Sequence, residues 1–215
     1  ASSQADESRR SPLSRLEEAF RQARAEHRAA LIGYLPAGFP TLAGSVACLQ
    51  AMVDGGCDVV EVGLPYSDPV LDGPTIQAAA DQALRQGTHT VDVLRTVEAV
   101  AHTGGVPVVM SYWNPVLRYG VDRFARDLAA AGGTGLITPD LTPDEGPDWL
   151  AASEASRLGR IFLVAPSSTR ERLARTVAAC RGFVYAASIM GVTGARAQTS
   201  AVAPRLVASV RPLTT

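Results

Sequence analysis

The chain has 215 residues, enough for one large domain with a substantial core. Its 20 basic and 21 acidic residues leave a net charge of -1, which gives no electrostatic reason to expect nucleic acid or an anionic membrane as partner. All 20 basic residues are arginine, and the lack of any lysine excludes a Schiff-base aldolase, an internal pyridoxal phosphate aldimine and a Walker-type phosphate loop.

Residues 1–12 are polar and read as a flexible tail, with one domain expected over 13–215. Ser14 to His27 carries apolar residues at helical spacing behind a serine, so an amphipathic helix capped by Ser14 is expected. Short apolar runs then predict strands near 30–35, 57–63, 106–111, 135–138, 160–164 and 183–187. Helices are predicted between them near 41–54, 75–86, 91–102, 119–131, 144–157 and 168–180, with a last one near 198–210. Strands alternating with helices mean βαβ units and a parallel sheet. No run reaches the ~18 apolar residues of a membrane span, and the polar start lacks the basic and apolar parts of a signal peptide, so a cytoplasmic protein is expected.

The most informative segment is Glu61-Val-Gly-Leu-Pro-Tyr-Ser-Asp68-Pro-Val-Leu-Asp72-Gly-Pro-Thr-Ile-Gln77. Glu61 interrupts the apolar strand run Cys57 to Gly63, and an ionised carboxylate taken out of water must be paired, hydrated or protonated. Taken alone, Glu61 fits an arginine ion pair or a solvated strand face as well as it fits acid–base chemistry. Asp72-Gly-Pro is ordinary turn chemistry, and Asp68-Pro69 equally starts a turn or caps a helix. Histidines 27, 89 and 102 are isolated, and cysteines 48, 57 and 180 are scattered, so no metal site or disulfide framework is expected; the cysteines read as small core residues.

As a unit, the Glu61 to Gln77 string resembles the signature of the tryptophan synthase α subunit family, Glu-x-Gly-x-Pro-[Phe/Tyr]-Ser-Asp-Pro-x-x-Asp-Gly-Pro-x-Ile-Gln, with every fixed position filled. Further stretches agree in order: Gly33 to Pro40, Met110 to Pro115, Pro139 to Leu141, Ala165 to Ser167 and Tyr185 to Gly194. The resemblance implies a (β/α)8 TIM barrel, of which six of the eight strands are found in the chain. Its loops after the strands build the active face. A barrel of this kind usually has roughly 250 residues, so the sequence reads as lacking the C-terminal strands seven and eight, together with the turns that complete the phosphate site.

The implied reaction is retro-aldol cleavage of indole-3-glycerol phosphate to indole and glyceraldehyde 3-phosphate. The resemblance assigns general acid–base catalysis to Glu61, stabilisation of the indole ring nitrogen to Asp72, and a place beside the catalytic carboxylate to Tyr185. It puts Tyr34, Ile76, Met110 and Ile137 in the indole pocket, and Thr193 and Gly194 on a loop that meets Asp72 and the phosphate. A loop carrying Asp72 is expected to be mobile and to close over substrate. Contact with a β subunit, in an α2β2 complex, is assigned to Pro65, Asp68 and Asn114, and pyridoxal phosphate is expected only in that partner. A non-catalytic, partner-activating subunit is the alternative if the phosphate site is truncated.

Overall fold

The computed structural model describes residues 11–187 and 202–214. Six parallel strands form one sheet in sequential order: β1 Ile32–Pro36, β2 Val59–Gly63, β3 Pro107–Met110, β4 Gly135–Thr138, β5 Gly159–Val164 and β6 Tyr185–Ala186. The helices are α1 Pro12–Ala25, α2 Leu42–Asp54, α3 Pro74–Arg85, α4 Thr90–His102, α5 Trp113–Tyr119, α6 Val121–Ala130, α7 Pro147–Ala155, α8 Arg170–Ala179 and α9 Val202–Val210. Sequential parallel order with a helix in each crossover is the connectivity of the expected barrel, and β1 and β6 are its outer strands here.

The central strands β2 to β5 are buried on both faces, whereas the outer strands β1 and β6 are less covered. Val60, Val62, Val109, Leu136 and Phe162 join the helices in a large outer core, whereas Val59, Val108, Ile137 and Ile161 form an inner cluster with Leu16. Alternate residues along a strand point to opposite faces, so Glu61, two residues after Val59, belongs to the inner face. Helix α1 seals the end of the sheet where the strands begin. Leu16 is fully buried, and the Arg15 guanidinium donates to the carbonyls of Gly105 at 2.7 Å and Gly132 at 3.3 Å, just before β3 and β4. A Cβ on Gly159 or Gly182 would lie 2.9 or 2.6 Å from the Leu16 side chain, so these glycines make room for the plug.

The helix cap differs from the sequence reading. Helix α1 starts at Pro12, and Ser11, not Ser14, is the cap; its hydroxyl accepts from the Ser14 amide at 3.2 Å. Proline suits the first helical position because its missing N–H would have no partner there. The helix read over 119–131 is α6, and a further short helix not read from the sequence, α5, precedes it, the two separated by Gly120 at φ 98°. Only Cys180 is a buried cysteine; Cys57 is half-buried and Cys48 is exposed on α2, contrary to the expectation for all three.

Candidate active site

Glu61 lies on the fully buried strand β2, between Tyr34 of β1 and Val108 of β3 in register, and is 6% exposed. Among the described residues its carboxyl has no ion-pair or hydrogen-bond partner, and desolvation alone lifts its pKa from 4.5 to about 7. Among the described residues, neither simpler explanation open at the sequence level, an arginine pair or a solvated strand face, applies. A carboxyl poised near neutrality can both give and take a proton at working pH.

Tyr34 is the hub of the inner face. Burial raises its phenol pKa first, followed by the charges of Asp72 and Glu61 and the neighbouring Tyr112 and Tyr185 hydroxyls, so four polar groups from separate segments converge on it. Its ring lies directly against Gly63, where an added Cβ would sit 2.5 Å from the Tyr34 hydroxyl. The glycine two residues after Glu61 thus exists to admit this tyrosine. Tyr185, on β6, has its pKa raised by burial and then by Glu61, which places it across the curled sheet from that carboxyl.

Asp72 is half-buried at the end of the β2–α3 connection. It is not a helix cap: α3 is capped by Gly73 without any side-chain bond. Burial raises the Asp72 pKa, opposed by the Tyr112 hydroxyl within hydrogen-bonding reach. The same hydroxyl accepts from the Leu71 amide at 3.0 Å, and Gln77 Nε2 donates to the Asp72 carbonyl at 2.8 Å. These bonds hold the loop at two points in this structure. Tyr112 was not among the site residues read from the sequence, because its partner at Leu71 lies 41 positions away.

Of the remaining pocket candidates, Ile137 is fully buried at the base of the inner face, Met110 packs on the same cluster, and Ile76 is half-buried in the first turn of α3. Thr193 and Gly194 lie outside the described residues. Pro65 and Asn114 line one groove of about 360 Å³ with Tyr66, Ser67, His89 and Arg118. Asp68 is exposed, accepts from the Ser67 hydroxyl at 2.6 Å and does not line that groove. A larger groove of about 780 Å³ opens between α1, β6 and α9. It touches neither Glu61 nor Asp72, and the convergence of titratable groups, not cavity size, locates the site. Among the described residues no three His, Cys, Asp or Glu side chains are grouped to hold a metal ion, and no helix is long and apolar enough to cross a membrane.

The arrangement offers a near-neutral carboxyl on a rigid strand, a second carboxyl on a tethered loop and an apolar floor between them. Residues 20–215 match the family model of the tryptophan synthase alpha chain. The tryptophan synthase alpha chain of Nocardia farcinica is 67% identical over 201 residues, covering 94% of this chain and 76% of the relative. That of Salinispora tropica is 66% identical with the same coverage of both chains. The structure of Mycobacterium tuberculosis tryptophan synthase superposes with a TM-score of 0.89 at 64% identity, over 93% of this chain and 76% of the other. The six-stranded sheet is thus the matching part of a TIM barrel, and the chain spans about three quarters of the length of these relatives. With two thirds of its aligned residues identical to such a relative, the chain belongs to the tryptophan synthase alpha chain family.

Proposed function

We propose that Glu61 is the general acid–base of this chain's lyase reaction and Asp72 the carboxylate that stabilises the departing indole. The reaction is that of the family, cleavage of indole-3-glycerol phosphate to indole and glyceraldehyde 3-phosphate. Indole leaves only after C3 of the ring is protonated and positive charge develops on the ring nitrogen, while a side-chain hydroxyl loses its proton. Glu61 delivers the C3 proton and takes up the hydroxyl proton. Asp72 accepts a hydrogen bond from the indole N–H and balances the charge of the cationic ring. The observation that carries this reading is the desolvated, unpaired Glu61 carboxyl with a pKa near 7, since an acid–base group is most effective near its working pH.

Tyr185 stands beside Glu61, while Tyr34, Ile76, Met110 and Ile137 supply the wall and floor against which the flat indole packs. Contacts expected of Thr193 and Gly194 fall outside the described residues. Pro65, Asp68 and Asn114 face the β subunit of an α2β2 assembly; Pro65 is buried within this chain and so acts there by shaping the loop, whereas Asp68 and Asn114 are exposed for contact. Pyridoxal phosphate belongs to that partner, because a chain without lysine cannot hold it as an internal aldimine. The setting is the cytoplasm. A partner-activating role without catalysis is not favoured: an unpaired buried carboxylate has a cost that partner binding does not require.

The test is Glu61→Gln, assayed for indole release from indole-3-glycerol phosphate in the presence of the β subunit. Turnover is expected to fall by about 10²- to 10⁴-fold with the fold retained. Near-normal turnover would overturn the assignment.

A further inference from the structure

We infer that Tyr112 is a positioning residue that sets the place of Asp72, its phenol hydroxyl accepting from the amide of the adjacent Leu71. This rests on the reading of Asp72 as the carboxylate that faces indole. The hydroxyl lies 3.0 Å from the Leu71 nitrogen, and the ring behind it is buried, with 6% of the residue exposed.

Tyr112 is held at several points besides its hydroxyl. Its residue is the N-cap of α5, directly after the end of β3. The Ser111 hydroxyl donates to its carbonyl at 2.7 Å, and the amide of the next residue, Trp113, donates to the Asp140 carboxylate at 2.9 and 3.1 Å. Its ring packs at 5.3 Å and 34° on Tyr66, whose own hydroxyl accepts from Asn114 Nδ2 at 3.3 Å. Backbone and ring are therefore held independently, and the hydroxyl at the far end is the point of contact with the Asp72 loop. Gln77 holds that loop by the Asp72 carbonyl, and Tyr112 holds it by the Leu71 amide. Catalytic geometry is lost when such a tether slips by an ångström.

Filling space would need only the ring, so Tyr112→Phe separates packing from positioning. The first readouts need no activity. Amide exchange at Leu71 is expected to accelerate about 2- to 12-fold, the worth of one ordinary hydrogen bond. The carboxyl of Asp72, followed by ¹³C NMR, is expected to titrate at higher pH, because the bond that opposes desolvation is gone. With the β subunit and substrate present, kcat is expected to fall about 10- to 100-fold with KM unchanged. A folded Phe variant in which neither the Leu71 exchange rate nor the Asp72 midpoint moves would overturn the inference. Movement of both with unchanged kcat would uphold the tether and instead overturn the role of Asp72 in the reaction. Should Tyr112→Phe fail to fold, Asp72→Asn tests the same contact from the other side. It is expected to lower the Tyr112 phenol pKa, which the Asp72 charge raises, and an unmoved phenol would refute the contact.

Discussion

Glu61→Gln is expected to stabilise the protein at alkaline pH while removing its activity. The folded-state pKa of Glu61, about 7, lies above its ordinary value of 4.5. Folded protein therefore binds this proton more tightly than unfolded protein does. Below pH 4.5 both states hold the proton, and Glu61 contributes no pH-dependent term. As pH rises through the window from 4.5 to about 7, the unfolded chain ionises freely whereas the folded one must charge a desolvated carboxyl that has no partner among the described residues. At about 1.4 kcal/mol per pH unit, the deficit grows to about 1 kcal/mol at pH 5 and about 3 kcal/mol at pH 8. Glutamine carries the same bulk without the titration, so the variant should gain on the parent as pH rises. For a domain of this size the gain corresponds to about 6–12 °C in Tm at pH 8. The assay is calorimetric or chemical unfolding of both proteins from pH 5 to pH 8, read as the change in their stability difference. That choice cancels any constant cost of burying the amide. A difference that stays flat with pH, or shrinks as pH rises, would refute the claim that Glu61 is buried without a partner.

Three packing predictions accompany it. Gly63→Ala places a Cβ 2.5 Å from the Tyr34 hydroxyl and 2.8 Å from its Cζ, so a loss of about 1–3 kcal/mol is expected by thermal unfolding, partly recovered when Tyr34→Phe removes the nearest atom. Leu16→Ala opens a cavity under the inner cluster and should cost about 2–5 kcal/mol, and an undiminished midpoint in urea would show that α1 does not plug the sheet. Thr138 ends β4 fully buried with no partner for its hydroxyl among the described residues, so Thr138→Val is expected to stabilise by about 1 kcal/mol, measured by the same unfolding assay.

The strands were legible because most are short apolar runs punctuated by glycine or proline, β2 and β3 being rich in β-branched residues. Strand β4 matches its expected range of 135–138 and β2 differs from its range only at the start. Helix α5 was missed because Pro115 reads as a breaker, yet it stands at the third helical position, where a missing N–H leaves no broken bond. The oddity of Glu61 was visible as a charge in an apolar run, but its meaning was not, since sequence cannot say whether an arginine reaches it. Contacts between distant segments were the least legible. Asp140 serves the Trp113 amide across 27 positions, and Tyr112 serves Leu71 across 41. Neither pairing leaves a local pattern, so the bonds that hold the Asp72 loop could not be read from the sequence.

That tether and the bare carboxyl of Glu61 answer the same physical problem in opposite ways. Proton transfer to a carbon atom needs an acid whose pKa is near the working pH, and leaving Glu61 desolvated without a partner supplies it at the expense of stability. Stabilising a cationic indole needs the reverse, a carboxyl that stays charged. Asp72 is accordingly given a hydroxyl that opposes its desolvation, and a position only half-buried. Exchanging the two environments would defeat both roles: a hydrogen-bonded Glu61 would be too weak an acid–base group near pH 7, and an unsupported Asp72 would take up a proton and lose its hold on the positive ring. The division between a strand that leaves its carboxyl unpartnered among the described residues and a loop tied to Tyr112 is therefore what would separate the two carboxylates, in the roles proposed for them, into an acid and an anion.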